Sequence, residues 1–119
     1  MMANDQAAPA LDRETALSRV GGDMDLLREI GALFLQEYPP TVVELRSAVT
    51  ERDPKRIEQK DHSLKGAVST FGVGAAFEDA VELEKQGRSG DLEQVDTNLQ
   101  QFETSLARLC AEIQDLIAE

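Results

Sequence analysis

The C-terminal part of the chain carries a periodic apolar pattern that restricts the fold more than any other feature. Apolar residues recur three or four positions apart over roughly three heptads: Leu92, Val95, Leu99, Phe102, Leu106, Leu109, Ile113 and Leu116. This period places all of them on one face of an α-helix. A stripe of this kind packs at a shallow angle against other helices, as in helical bundles and coiled coils. The pattern therefore favours helices that lie side by side.

Two helical segments open the chain. The first is predicted from about Asp12 to Val20, and Gly21-Gly22 ends it because glycine adopts the left-handed cap without penalty. Asp23 is a favourable N-cap for the second, whose apolar pattern continues beyond Pro39-Pro40. Because each proline lacks a backbone N–H donor, we expect a kink or a short break at that point.

Two more segments precede the last helix. Asp53-Pro54 is a strong helix start, and this helix is predicted to run to about Phe71, with Gly72 as its stop. The next spans residues 75–87 and ends at Gly87-Arg88-Ser89-Gly90, after which Asp91 is expected to cap the last helix.

Together these segments predict an all-α protein. The expected architecture is an antiparallel up-and-down four-helix bundle over residues 11–119, with a short extra N-terminal helix and a Pro-kinked second helix. Residues 1–10 show no period and are predicted to be a disordered tail. A coiled-coil dimer through the last helix is the alternative. The amphipathic segments upstream need cover, so an intramolecular bundle and a monomer are favoured.

The composition excludes several classes of partner. Twelve Lys and Arg against 23 Asp and Glu give a net charge of −11, which argues against nucleic acids and anionic membranes. Cys110 is the only cysteine, so no intramolecular disulfide can form. No apolar run approaches the roughly 18–20 residues of a membrane span, and the start of the chain does not resemble a signal peptide. We therefore expect a cytoplasmic protein.

His62 is the only histidine, so any imidazole chemistry takes place there. On a helix it shares a face with Lys65, Gly66 and Ser69, whereas the apolar positions Ile57, Leu64, Val68 and Phe71 fall on the other side. The ring is therefore predicted to point to solvent. A metal site is poorly supported because there is no second histidine, and nothing resembles the nucleophile elbow of a serine hydrolase.

The neighbours of His62 suit the transfer of a phosphoryl group between proteins. An exposed imidazole ordinarily titrates near pH 6.5, so at neutral pH a ring nitrogen is available as a nucleophile. Lys65, one turn away, is placed to offset the added negative charge. Gly66 costs about 1 kcal/mol relative to Ala inside a helix, and its missing side chain would let another protein reach the ring. The alternatives are a helical adaptor in which His62 is incidental and, less favoured, a small helical enzyme.

The sequence also resembles a known family. His62-Ser63-Leu64-Lys65-Gly66, followed by Phe71-Gly72, resembles the signature of the histidine phosphotransfer (HPt) domains of bacterial phosphorelays. Further similarity lies in 20–27, in Leu83-Glu84 and in 87–92, so that it covers roughly residues 12–117.

The resemblance implies specific roles. His62 would accept a phosphoryl group from the aspartate of a receiver domain, or from a histidine kinase, and pass it to another receiver. Lys65 would be the charge partner, Gly66 the access residue, and Glu84 would orient the imidazole from the next helix; Arg88 is a weaker candidate. The partners would be response-regulator receiver domains and a histidine kinase, of the hybrid type or not.

The resemblance also implies a phosphocarrier without an ATP site, since the chain has no Gly-rich phosphate loop. It would need no cofactor of its own, and the Mg²⁺ would sit on the receiver. Asp61 departs from the family pattern, in which a small apolar residue usually precedes the histidine. We expect its side chain to be partly buried or to snorkel past the edge of the bundle.

Overall fold

The structure, a computed structural model, describes residues 9–119, and within that range it is helical without strands. The five helices are α1 (Arg13–Arg19), α2 (Met24–Thr50), α3 (Pro54–Ser69), α4 (Ala75–Ser89) and α5 (Val95–Ala118). Helices α2 to α5 pack in chain order, and α5 returns to pack against α2. This closes a four-helix bundle, with α1 as the short extra helix packed on α2. The predicted all-α bundle is confirmed.

Local sequence signals begin three of the helices as predicted. The carboxylates of Asp12, Asp23 and Asp53 each accept a hydrogen bond from the backbone N–H three residues on, at 3.0–3.2 Å. Each bond satisfies a donor that the first helical turn cannot pair internally. Asp91 does not cap α5, and that prediction was wrong. Its carboxylate accepts from the Glu93 N–H, in a turn that precedes the helix.

Helix α2 continues through both prolines. The sequence predicted a kink or a short break at Pro39-Pro40, and the structure excludes the break because one 27-residue helix contains both residues. Both prolines are exposed, so water can bond the carbonyl groups that lose their intrahelical donors. Buried residues on either side, from Leu27 to Val49, keep the two halves of the helix on one core.

The apolar stripe of α5 lies inside the bundle. Most of its members are buried: Val95, Phe102, Leu106, Leu109, Ile113 and Leu116. Leu92 and Leu99 are half-buried and pack against the same core. The stripe is therefore covered by the helices of its own chain, as expected for the predicted intramolecular bundle.

Helix α4 ends within Gly87-Arg88-Ser89-Gly90 as predicted, two residues beyond the expected limit at 87, and Gly87 itself brings α4 against α3. A Cβ atom at this position would lie 2.7 Å from the backbone nitrogen of Glu58 and 2.9 Å from the carbonyl oxygen of Pro54. The helix runs on to Ser89, and Gly90 forms the left-handed cap at φ 80°. The missing side chain therefore allows the two helices that flank the candidate site to approach closely.

The segment before α1 is fixed to the bundle at two places. The backbone N–H groups of Ala10 and Leu11 donate to the two carboxylate oxygens of Glu112, both at 2.9 Å. The N–H of Asp12 donates to the carbonyl of Phe71 at 3.0 Å. The predicted tail therefore meets the fold at Ala10, and its residues 1–8 lie outside the described part of the chain.

Candidate functional site

His62 lies in the middle of α3 with its ring in solvent. Its side chain is 69% exposed, whereas Ile57, Leu64 and Val68 of the same helix are buried in the core. The helical period thus separates the imidazole from the apolar face, as the sequence predicted.

Glu84 of α4 joins His62 to Lys65. One of its carboxylate oxygens, Oε2, lies 2.6 Å from Nδ1 of His62. The other, Oε1, accepts a hydrogen bond from Nζ of Lys65, also at 2.6 Å. The Glu84 side chain is only 7% exposed, so these contacts are little screened by water. The structure thus brings together three of the four residues that the sequence had singled out.

The charge state of Glu84 determines the tautomer of the ring. Burial alone would raise the pKa of Glu84, but the hydrogen bonds from Lys65 and His62 outweigh it and hold the pKa below its usual value. An ionised carboxylate can only accept hydrogen bonds, so Nδ1 of His62 must carry the proton. The unprotonated nitrogen is then Nε2, the one that does not contact Glu84.

Gly66, the fourth of these residues, stands next to open space. An added Cβ atom would have no atom within 4 Å outside its own helix, so packing does not require glycine at this position. The residue is exposed and helical. Alanine would therefore fit sterically and would favour the helix.

Arg88, the weaker candidate, also lies at the site. Its Nε donates to Glu58 of α3 at 3.1 Å, and its Nη2 lies 3.7 Å from Oε2 of Glu84. These residues, with Gln59 and His62, line a shallow cleft of about 360 Å³ beside the ring. The i,i+4 spacing of Glu84 and Arg88 is a sequence signal that could have indicated this pair, but it was not used.

Asp61 is fully buried. Its exposed fraction is 0%, and neither carboxylate oxygen has a hydrogen-bond partner. Burial first, and then the negative charge of Glu84, raise the pKa of Asp61 to about 8, against the opposing effect of Lys65. The expected alternative, a side chain that snorkels to the edge of the bundle, is therefore wrong. Asp61 faces inward because it precedes His62 by one residue, a rotation of about 100° on a helix.

An apolar groove lies beside the histidine, between α2 and α3. It has a volume of about 330 Å³ and is lined by residues that include Ile30, Leu33 and Phe34 of α2 and Ser63 and Ala67 of α3. Leu33 is 54% exposed although it is a large apolar residue. This surface was not predicted from the sequence, because its residues come from two separate helices, α2 and α3.

The comparisons with known proteins agree with this arrangement. The profile of the Hpt domain matches residues 29–118, which is most of the chain. The chain belongs to the Hpt domain family. Among solved structures it is similar to histidine-containing phosphotransfer protein B (HptB) from Pseudomonas aeruginosa PAO1, with a TM-score of 0.82. That match covers 92% of this chain and 95% of the other at 23% identity, and it shows the shared fold.

No curated protein sequence matches the chain. Within residues 9–119 there is no cluster of side chains that could hold a metal ion. Over the same residues, no helix has the length and apolar character needed to cross a bilayer.

Proposed function

We propose that His62 is the phosphorylation site of this histidine phosphotransfer protein. The observation that carries the proposal is the contact between Nδ1 of His62 and the ionised carboxylate of Glu84, at 2.6 Å. It leaves Nε2 as an unprotonated nucleophile on a ring that is 69% exposed. His62 is also the only histidine in the chain.

The chemical step needs no proton transfer at the attacking atom. Nε2 attacks the phosphorus of an aspartyl phosphate in line, the N–P bond forms, and the P–O bond to the aspartate breaks. The aspartate leaves as a carboxylate, while Nδ1 keeps its proton and the phosphorylated ring carries a positive charge. Glu84 stabilises that charge through the hydrogen bond that it already accepts. The reverse reaction transfers the group to a second receiver.

Lys65 is proposed to stabilise the phosphoryl group. Its ammonium group is held by Glu84 in the unphosphorylated chain, and it lies one turn from His62 on the same face of α3. A phosphoryl group adds close to two negative charges. Lys65 is then within reach of two anions, the Glu84 carboxylate and the phosphoryl group, and can bridge them. Gly66 keeps the approach to the ring open for the active site of the partner.

We further propose a carrier that is not itself a kinase. Catalysis would consist mainly of positioning and of charge stabilisation supplied by the partner, whose own Mg²⁺ would bind the transferred group. The partners would be receiver domains and a histidine kinase, of the hybrid type or not. The apolar groove between α2 and α3 supports a docking surface there, because Ser63 of the groove adjoins His62.

The experiment is phosphotransfer from labelled receiver domains to the full chain. Label that is acid-labile and alkali-stable is expected on the chain and should disappear in His62→Gln. Gln101→Ala is the control, since it alters an exposed side chain of α5, away from the site, and should keep the label. Absence of label with every receiver of the same genome would favour the alternative, an adaptor in which His62 is incidental. Label retained in His62→Gln would exclude this histidine.

A further inference from the structure

Asp61 is a buried acid to which the proposed reaction gives no role. It is 0% exposed, and both of its carboxylate oxygens lack hydrogen-bond partners. A buried polar group in that condition destabilises the fold, and an apolar residue of similar volume would normally pack better. Residues that oppose the stability of a fold are expected mainly where function needs them. Its place in the chain, one residue before His62, points to the same conclusion.

The charges around Asp61 are those of the phosphotransfer site. Lys65 lies four residues after Asp61 on α3, a spacing that makes the two residues neighbours on the helix, and its Nζ donates to Glu84 of α4 at 2.6 Å. Towards α2, the adjacent Lys60 is engaged at the surface with Glu44, 3.5 Å away. Helices α3 and α4 are in close contact here because Gly87 has no side chain. The buried carboxyl therefore shares a region of low solvent access with the Lys65–Glu84 pair.

The two protonation states of Asp61 have different consequences for the site. When Asp61 is a neutral acid, it does not attract Lys65, and the ammonium group of Lys65 stays hydrogen-bonded to Glu84. Glu84 in turn holds Nδ1 of His62. After it releases its proton to solvent, a second buried carboxylate competes with Glu84 for Lys65. The same negative charge, one residue away on α3, also repels a phosphoryl group on His62.

We propose that Asp61 is a positioning residue that acts on His62 through Lys65 and Glu84. As a neutral acid it keeps the phosphotransfer site in its active arrangement, and its ionisation lowers the fraction of His62 that carries a phosphoryl group. The raised pKa of Asp61, about 8, places this change just above neutral pH. The inference rests on the proposed function for its effect on phosphorylation, but the electrostatic link to His62 can be measured without it.

The first experiment follows the imidazole C–H resonances of the full chain by NMR from pH 5 to pH 9.5. With one histidine, the signals need no assignment among several rings. The wild-type chain should show a second inflection near pH 8, in addition to the titration of the ring itself, because coupled groups report on each other. Asp61→Asn should abolish that inflection. Glu82→Gln removes an exposed carboxylate from α4 and should retain it.

The second experiment measures the phosphorylated fraction at equilibrium with the small donor phosphoramidate at pH 6.5 and at pH 9. The fraction in the wild-type chain is expected to fall at least about threefold more than in Asp61→Asn, since a nearby buried charge interacts on this scale. Asp61→Leu serves as a second variant, with folding checked by circular dichroism, in case the amide is not tolerated.

The outcomes separate the two proposals. A wild-type chain with one inflection, or an Asp61→Asn chain with two, would overturn the inference about Asp61. Equal pH dependence of phosphorylation in the two chains would overturn it as well. A chain whose NMR titration behaves as described, but which no receiver phosphorylates, would leave the link to Asp61 intact and contradict the proposed function.

Discussion

Helices α3 and α5 use their residues in opposite ways. Along α5, the buried positions are all occupied by apolar residues or by Cys110, and the polar residues lie outward. Helix α3 has a buried acid, Asp61, an exposed imidazole, His62, and a glycine, Gly66, that no neighbour requires. Each of these three residues lowers the stability of the fold or adds nothing to it. The comparison indicates that the residues of α5 serve the core, whereas some residues of α3 serve the site and lower the stability of the fold.

The largest effect on the free energy of unfolding is expected in α5. Phe102→Ala removes a fully buried ring from α5 and should lower the free energy of unfolding by about 3–5 kcal/mol. Denaturant titration measures this loss. Phosphotransfer by the remaining folded fraction should be unchanged, because Phe102 makes no contribution to the site. A specific loss of transfer in the folded variant would show that the two helices are not separate in function.

On α3, removal of Asp61 should have the opposite sign. Asp61→Ala deletes a buried carboxyl without hydrogen bonds and should raise the melting temperature by at least about 4 °C at pH 7.5. Differential scanning calorimetry checks the shift. A clear fall in melting temperature would mean that the carboxyl has a stabilising partner. It would contradict the claim that α3, unlike α5, carries a destabilising buried residue.

The pH dependence of the free energy of unfolding is a second test of the destabilising effect of Asp61. The pKa of Asp61 is about 8 in the folded chain, against 3.8 as its ordinary value. Between these values the folded chain keeps a proton that the unfolded chain has lost. The free energy of unfolding should therefore fall as pH rises from about 4 to about 8.

In Asp61→Asn that slope should be absent, which repeated denaturant titrations across the pH range would show. Glu84 acts at lower pH and with the opposite sign, since its pKa is lowered and its stabilisation is lost as the solution becomes acidic. An unchanged slope in Asp61→Asn would contradict the assignment of the effect to this residue.

The smallest stability effect is expected at Gly66. Gly66→Ala should raise the free energy of unfolding by about 1 kcal/mol, because the site is helical, exposed and free of clashes. Stopped-flow assays should show slower transfer to receivers, since the added methyl group lies on the face that the partner approaches. Transfer at the wild-type rate would remove the functional reason for this glycine.

Local signals were predicted well from sequence, and contacts between helices were not. Asp53-Pro54 starts α3 as predicted because a cap depends on neighbouring residues alone. The same logic failed at Asp91, where a turn intervenes before α5. Gly87 was interpreted only as part of the stretch that ends α4, because its close contact with Glu58 depends on another helix.

The same distinction applies to the site. The period of α3 was enough to predict an exposed His62 with Lys65 beside it. The position of Glu84 came from the family resemblance, since 22 residues separate it from His62 and only the packing of α3 on α4 brings them together. The complete burial of Asp61 could not be predicted, because the helical period gives only the direction of its side chain, whereas the close approach of α4 determines how deeply it is buried.

The central claim is that Glu84 holds Nδ1 of His62 so that Nε2 takes the phosphoryl group. A ³¹P–¹H correlation spectrum of the phosphorylated chain tests it directly, because a phosphorus on Nε2 couples to both ring protons, on Cε1 and Cδ2. We expect both correlations. A single correlation, to the Cε1 proton alone, would place the phosphoryl group on Nδ1 and contradict the account.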